Sequence, residues 1–316
     1  MMRGLSKMLA IMAMAALVAV SSATSVFAAE GVDWNDHVIT VQGMGVPPAN
    51  TVNVAQARML ARRAAVVDGY RQLAEAVKGV NVDSETTVEN MMVTNDTTKT
   101  KVSACIQGAR VVSEQVVEGG GYMVTMQVSM FGVSNSLASA VLEKPAAVEN
   151  FPKPDASVAP NVPASVQVNV QVGGQPAAAT LPAVPSTPVQ QQTQRSSASA
   201  APSSGQAIGG YTGLIVDCSG LGLRPVMSPV IKNANGQPIY GYKNLDYTAV
   251  VTNGMAGYTS DIHKATRAGN NPLVVKAVSL DGHNGNPVLS VADANRVLIE
   301  NGATGFLDRT AVVFVR

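Results

Sequence analysis

The chain has 316 residues and carries 22 basic against 21 acidic side chains, a formal +1 that tips to a slight acid excess once Arg3 and Lys7 leave with a leader. So neutral a chain has no electrostatic claim on a nucleic-acid backbone, and three histidines with two widely separated cysteines cannot supply a close-spaced zinc cluster or a disulfide-rich scaffold. Charged residues are only 14% and aromatics 4%, while the 46% that is hydrophobic is mostly Ala and Val, so part of the chain reads as an uncharged connector between two folded domains.

Residues 1–28 read as a secretory signal. Two positive charges precede the apolar run Met8–Val20, and Val26-Phe27-Ala28 ends in small residues suited to cleavage. The apolar run is shorter than the ~20 residues of a spanning helix, and no second run of that length follows. The expectation is an exported protein of the periplasm or outer-membrane periphery, with no transmembrane span in the mature chain. Cys105 and Cys218 stand in different expected domains, which favours two semi-buried thiols over a bridge.

The first folded unit is expected over 36–143. Residues 36–45 read as a strand, closed by the Gly43-Met44-Gly45 turn and by Pro47-Pro48. From about Val54 to Lys78 the residues are strong helix formers, and Met59, Val66, Tyr70, Leu73 and Val77 recur as one apolar face, with Gly79 placed as a C-cap. Arg71 and Glu75 stand one turn apart as a charge-compensating pair. Thr86–Lys101 has no clean period and reads as a strand with a loop or as a strand pair. Lys101–Val117 and Tyr122–Phe131 then form a hairpin around Gly119-Gly120-Gly121, with Gly108 as a bulge. The fold class is α+β: a long N-terminal helix packed on an antiparallel sheet.

Residues 144–210 change to Pro, Ala, Ser, Val and Gln, and 156–194 contain no charged side chain. Such a segment buries too little to offset its ordering entropy and reads as a flexible tether. Within it Val166–Val172 alternates Val with Gln and Asn, an edge strand in an assembly or simply linker.

Residues 211–316 resume globular patterning as a mixed α/β domain. Thr212–Asp217, Tyr247–Tyr258, Pro272–Leu280 and Ala311–Val315 read as strands, and Asn233–Tyr240 as a hairpin. Ser290 and Asp293 open a helix with a capping box, and Asn301-Gly302 closes it after Glu300.

The search for chemistry assigns no catalytic, cofactor or metal residues. Ser219 lacks the G-x-S-x-G context because Asp217 holds the first glycine position, so Asp217 reads as a carboxylate accepting turn amides, and the chain reads as non-enzymatic. Gly43-Met44-Gly45 is too short for a phosphate loop, and the 281–286 loop lacks the terminal Glu of a calcium site. A group of Arg58, Arg62 and Arg63 faces either solvent or an anionic surface. A competing reading, a periplasmic ligand or glycan binder, would draw on Tyr211, Tyr240, Tyr242, Tyr247 and Tyr258.

The stretch 39–46 (ITVQGMGV), the helix 57–75 (ARMLARRAAVVDGYRQLAE) and 106–113 (IQGARVVS) together resemble the LPP-twenty-type lipoprotein family, a module that the flagellar assembly proteins FlgP and FlgT share. The resemblance covers about residues 36–132 and implies a small α/β module of the bacterial envelope, without enzyme activity or cofactor, used to build rings or disks. Its expected partners are further copies of the chain or other envelope proteins. Arg62, Arg63, Asp68, Tyr70 and Arg71 match the helix motif, and the resemblance implies that they fix the helix on the sheet and bond neighbouring protomers. The lipobox cysteine of the lipoprotein members is missing, so attachment to the outer membrane is expected either to come from partners or not to occur.

Overall fold

The computed structural model describes residues 31–51, 53–161 and 205–316. The leader and Val166–Val172 lie outside the described residues.

The N-terminal module begins with β1 (Gly31–Asp33) and β2 (Val38–Gly45), followed by the 25-residue helix α1 (Val54–Lys78). Asn53 caps α1 by accepting the Ala55 amide, and Gly79 ends it. Its buried face is Ala61, Ala65, Gly69, Leu73 and Val77. This differs from the expected face: Met59 is 74% exposed, and Val66 and Tyr70 are half-buried. The reason is close approach. Gly43 and Gly45 do not form a turn but continue β2 in register with its neighbour. A methyl at Gly43 would overlap the Ala65 carbonyl and the Gly69 backbone, and one at Gly45 the Ala61 carbonyl. The helix is therefore seated by its smallest residues, which a search for large apolar side chains passes over.

Two helices, α2 (Val88–Thr94) and α3 (Asp96–Gln107), occupy the region expected as strand. Thr87 accepts the Asn90 amide, and Asn95 accepts those of Thr97 and Thr98, so two N-caps override the β-branched composition. Gly108 is the C-cap of α3 rather than a bulge. The hairpin strands are β3 (Arg110–Val116) and β4 (Tyr122–Ser129), and the irregularity falls at Val112, between Val111 and Ser113. A short helix, α4 (Leu137–Val141), completes the module, and the sheet order is β1-β2-β4-β3, antiparallel throughout.

The second domain comprises β5 (Gly213–Asp217), β6 (Ile231–Asn233), β7 (Pro238–Tyr240), α5 (Tyr247–Asn253), β8 (Gly257–Thr259), β9 (Pro272–Lys276), β10 (Ser279–Asp281), β11 (Asn286–Leu289), α6 (Val291–Thr304) and β12 (Val312–Val315). Strands β8-β12-β5-β9 form a parallel sheet, and β10-β11-β6-β7 a mixed one. Residues 247–253, expected as strand, are helical because Asp246 caps them through the Ala249 amide. Ser290 opens α6 as expected, its hydroxyl accepting the Asp293 amide and donating to the Asp293 carboxylate, so the side chains bond each other where a capping box would return to the N-cap amide. The helix runs past Asn301-Gly302, however, to Gly305, whose left-handed φ of 64° ends it, while the Asn301 side chain accepts the Leu307 amide.

The two domains share one continuous core. Trp34 meets Tyr258 edge-on with centroids 5.5 Å apart, Gly132 donates to the Val251 carbonyl, and Met227 and Ser228 donate to the carbonyls of Asn81 and Val82. The described ends of the segment read as a tether are docked on the second domain. Phe151 stacks on Tyr240, and Asn295 brackets the backbone at Asp155 and Val158. Arg296 holds the Asn161 and Gln206 carbonyls, and Glu300 accepts the amides of Ile208 and Gly209.

Candidate functional site

The residues singled out on α1 do two kinds of work. Asp68 joins helix to sheet: its carboxylate accepts the Met44 amide at 3.1 Å, the Gln72 amide group at 2.8 Å and the Arg71 guanidinium at 2.9 Å. The Met44 amide first, then Arg71 and Gln72, hold its carboxyl below the usual range. Gln72 also donates to the Gln42 carbonyl, so two adjacent turns of α1 are bonded to β2. Arg71 additionally pairs with Glu75, as the spacing predicted.

Arg62 reaches across to β3 and grips Glu114 through both Nε and Nη2. That hydrogen bond and charge hold the Glu114 carboxyl low, with help from the Tyr122 hydroxyl at 3.0 Å. Tyr70 donates to the Gln107 carbonyl at 3.4 Å, and Arg63 lies on the exposed side of α1. Arg62, Asp68 and Tyr70 thus tie α1 to β3, β2 and the end of α3, Arg71 pairs along α1 with Asp68 and Glu75, and Arg63 faces outward. Sequence reasoning missed Glu114, which pairs across 52 positions and has no local signal. It also missed Gly43, Gly45 and Gly69, whose signal was two strand glycines spaced for one face opposite a helix glycine.

β3 is the outer strand of the sheet and is exposed along almost its whole length. Val112 and Val116 are 50% and 54% exposed, and Val111 is partly exposed beside them. Register with β4 puts Val111, Glu114 and Val116 on the helix side, opposite Met126, Val124 and Tyr122. Arg110, Ser113 and Gln115 fall on the other side, continuing a polar face in which Gln127 donates to Thr40.

In the second domain Asp217 accepts the Ser219 amide at 2.9 Å, the turn role expected of it, and this holds its carboxyl low. Cys218 is buried and its thiol is pushed up to about 12, mainly by burial; Cys105 is pushed up to about 11 for the same reason. Both are free thiols. Four of the five tyrosines bond backbone: Tyr240 the Met255 carbonyl, Tyr258 the backbone of Val226, and Tyr242 and Tyr247 the carbonyls of Glu143 and Leu142, while Tyr211 packs half-buried against the core. Among the described residues no group of three His, Cys, Asp or Glu is placed to hold a metal, and no helix is long and apolar enough to cross a membrane.

Residues 16–129 match the family model of the LPP20 lipoprotein, and residues 213–316 match that of the second domain of Treponema pallidum Tp0624. No curated protein matches the chain.

Proposed function

From the premise that the N-terminal module is of the LPP20 lipoprotein type, an envelope-associated class, we propose that this exported chain is a non-enzymatic structural or assembly component of a flagellar or other outer-membrane-associated complex. The match over residues 16–129 carries the reading. Two features of the module support it: a helix bonded rigidly to its sheet, and an outer strand left open with apolar side chains on it. The turn at Asp217-Cys218-Ser219 supports the non-enzymatic half. Its carboxylate is spent on a backbone amide, and its thiol is buried and protonated at neutral pH.

The test is fractionation of cells expressing the full chain with its own leader. The chain is expected to sediment with the outer envelope and to co-purify with large assemblies after gentle detergent extraction. Recovery in the freely soluble periplasmic fraction alone would overturn the proposal. Asp217→Asn and Ser219→Ala are expected to leave that distribution unchanged wherever the variants fold.

A further inference from the structure

We propose that the recess where His37 of the N-terminal module meets Arg267 and Arg309 of the second domain binds a phosphate group. The recess has a volume of about 380 Å3, and Thr252, Asn253 and Thr310 complete most of its wall. None of the residues lining it is acidic. Among the described residues neither Arg267 nor Arg309 pairs with a carboxylate, although Arg62, Arg71 and Arg296 all do. The acids around the recess are otherwise placed. Asp33 accepts the Asn35 and Asp36 amides, Asp36 is exposed on the turn between β1 and β2, and Asp308 accepts the Asn301 amide group.

Arg267 is held in place before any ligand arrives. Its Nε donates to the Thr310 carbonyl at 2.7 Å and its Nη2 to the Thr310 hydroxyl at 2.8 Å, while Nη1 and Nη2 also reach the carbonyls of Asn253 and Gly254 at the end of α5. These oxygens satisfy most of the guanidinium donors, yet the end of a helix supplies only a partial negative charge, so the cation lacks a full counter-ion. Thr310 is 1% exposed and has a left-handed φ of 54°, a conformation that a β-branched residue keeps only where its surroundings impose it. The two Arg267 bonds impose it here. His37 stands on the module's side of the recess, also left-handed, with a φ of 57°. Burial first, and then the Arg267 charge, hold its imidazole below the usual range, against the opposing pull of Asp33 and Asp36.

The donor set selects the anion. A planar carboxylate is satisfied by the fork of one guanidinium. Here two guanidiniums come from different places, Arg267 from the link between β8 and β9 and Arg309 from the link between α6 and β12. Arg309 is exposed and spends one N–H on the Thr304 carbonyl, which leaves most of its fork for a ligand. With the Thr252 hydroxyl beside them, they suit a group with three acceptor oxygens and a charge approaching −2, as a phosphate monoester has at neutral pH. A soluble phosphate ester and a lipid headgroup both present that group. Bound in this recess it would touch both domains at once, a role separate from the assembly reading above.

The experiment titrates inorganic phosphate into the full mature chain at constant ionic strength, following the three imidazoles by NMR. The His37 pKa is expected to rise, because a bound anion offsets the Arg267 charge, while His263 and His283 do not respond. The melting midpoint is expected to rise with phosphate concentration. Arg309→Gln changes an exposed side chain with one backbone bond, so it is expected to fold and to bind phosphate at least about tenfold more weakly. Arg309→Lys, which keeps the charge and loses the fork, is expected to fall between. A His37 that does not respond, an equal response to chloride at matched ionic strength, or undiminished binding by Arg309→Gln would overturn the inference. Sedimentation with phosphatidic acid vesicles distinguishes the sources once phosphate binds. Vesicle binding that free phosphate displaces assigns the site to a headgroup, and phosphate binding without vesicle binding assigns it to a soluble ester; each supports the site.

Discussion

Seating of α1 on β2 gives the sharpest quantitative expectation. A methyl at Gly43 meets the Ala65 carbonyl, the Gly69 amide and the Gly69 Cα, all of them backbone, so no side-chain rotation relieves it and the helix must lift from the sheet. Lifting loosens contacts along Ala61, Ala65, Gly69, Leu73 and Val77 and lengthens the Asp68 bond to Met44. Gly43→Ala is therefore expected at or above the upper end of overpacking penalties, about 3 kcal/mol or more. Gly69→Ala is the control. Its methyl meets the Met126 Sδ at 2.6 Å, the far end of an adaptable side chain, and replacing a helical glycine returns about 1 kcal/mol of propensity. Its net effect is expected within about 1 kcal/mol of zero. Urea denaturation followed by circular dichroism at the helical minimum measures both. A Gly43→Ala midpoint equal to wild type, or a larger loss for Gly69→Ala, would refute the backbone-on-backbone account.

Two further expectations concern charge. Asp68→Asn, which keeps shape and removes the anion, should cost about 1–2 kcal/mol at pH 7. Because the folded Asp68 titrates below its unfolded value near 3.8, its contribution is present above that value and fades as pH falls through the lower folded one. The gap between wild type and Asp68→Asn should thus close below about pH 4 in pH-dependent melting, and a constant gap would contradict the bond to Met44 as its source. Glu300→Gln breaks an ion pair in which Arg296 and Glu300 are 1% and 0% exposed, and is expected to cost about 3–5 kcal/mol. It should also speed proteolysis near Gln206–Gly209, because Glu300 accepts two amides there; unchanged cleavage would argue against that anchoring.

What the sequence made legible follows from how local the cause was. The long helix and the caps at Ser290 and Gly79 each depend on neighbours a few positions away and stand where the pattern put them. The hairpin pairs around Gly119–Gly121 as expected, but its first strand starts at Arg110 rather than Lys101, because 101–107 belong to α3. The helical pair at 88–107 was hidden because Thr, Asn and Val dominate it, and two caps outweighed composition. The buried face of α1 was misread for a different reason. Periodicity weighs large apolar residues, whereas the contact is made by Ala and Gly against strand glycines, and its existence depends on both partners at once. At the candidate site, the Arg71–Glu75 pair was visible as local spacing and Asp68 entered through the family resemblance, but Glu114 and the openness of β3 are consequences of strand order.

The same locality explains the connector. Composition describes residues 144–210 as a segment with little to bury, and it cannot show that a buried ion pair elsewhere in the chain receives both of its described ends. One guanidinium, that of Arg296, binds the Asn161 and Gln206 carbonyls, which therefore lie within roughly 8 Å of each other. The stretch 162–204 thus departs from and returns to one place on α6, and the placement of the two domains is set by their own shared core rather than by its length. Replacing 162–204 by about ten Gly/Ser residues is accordingly expected to preserve the fold and to raise stability by about 1 kcal/mol through the smaller loop-closure entropy. Calorimetry on the shortened chain reads this, and a midpoint well below the wild type would show that the removed residues hold the domains together.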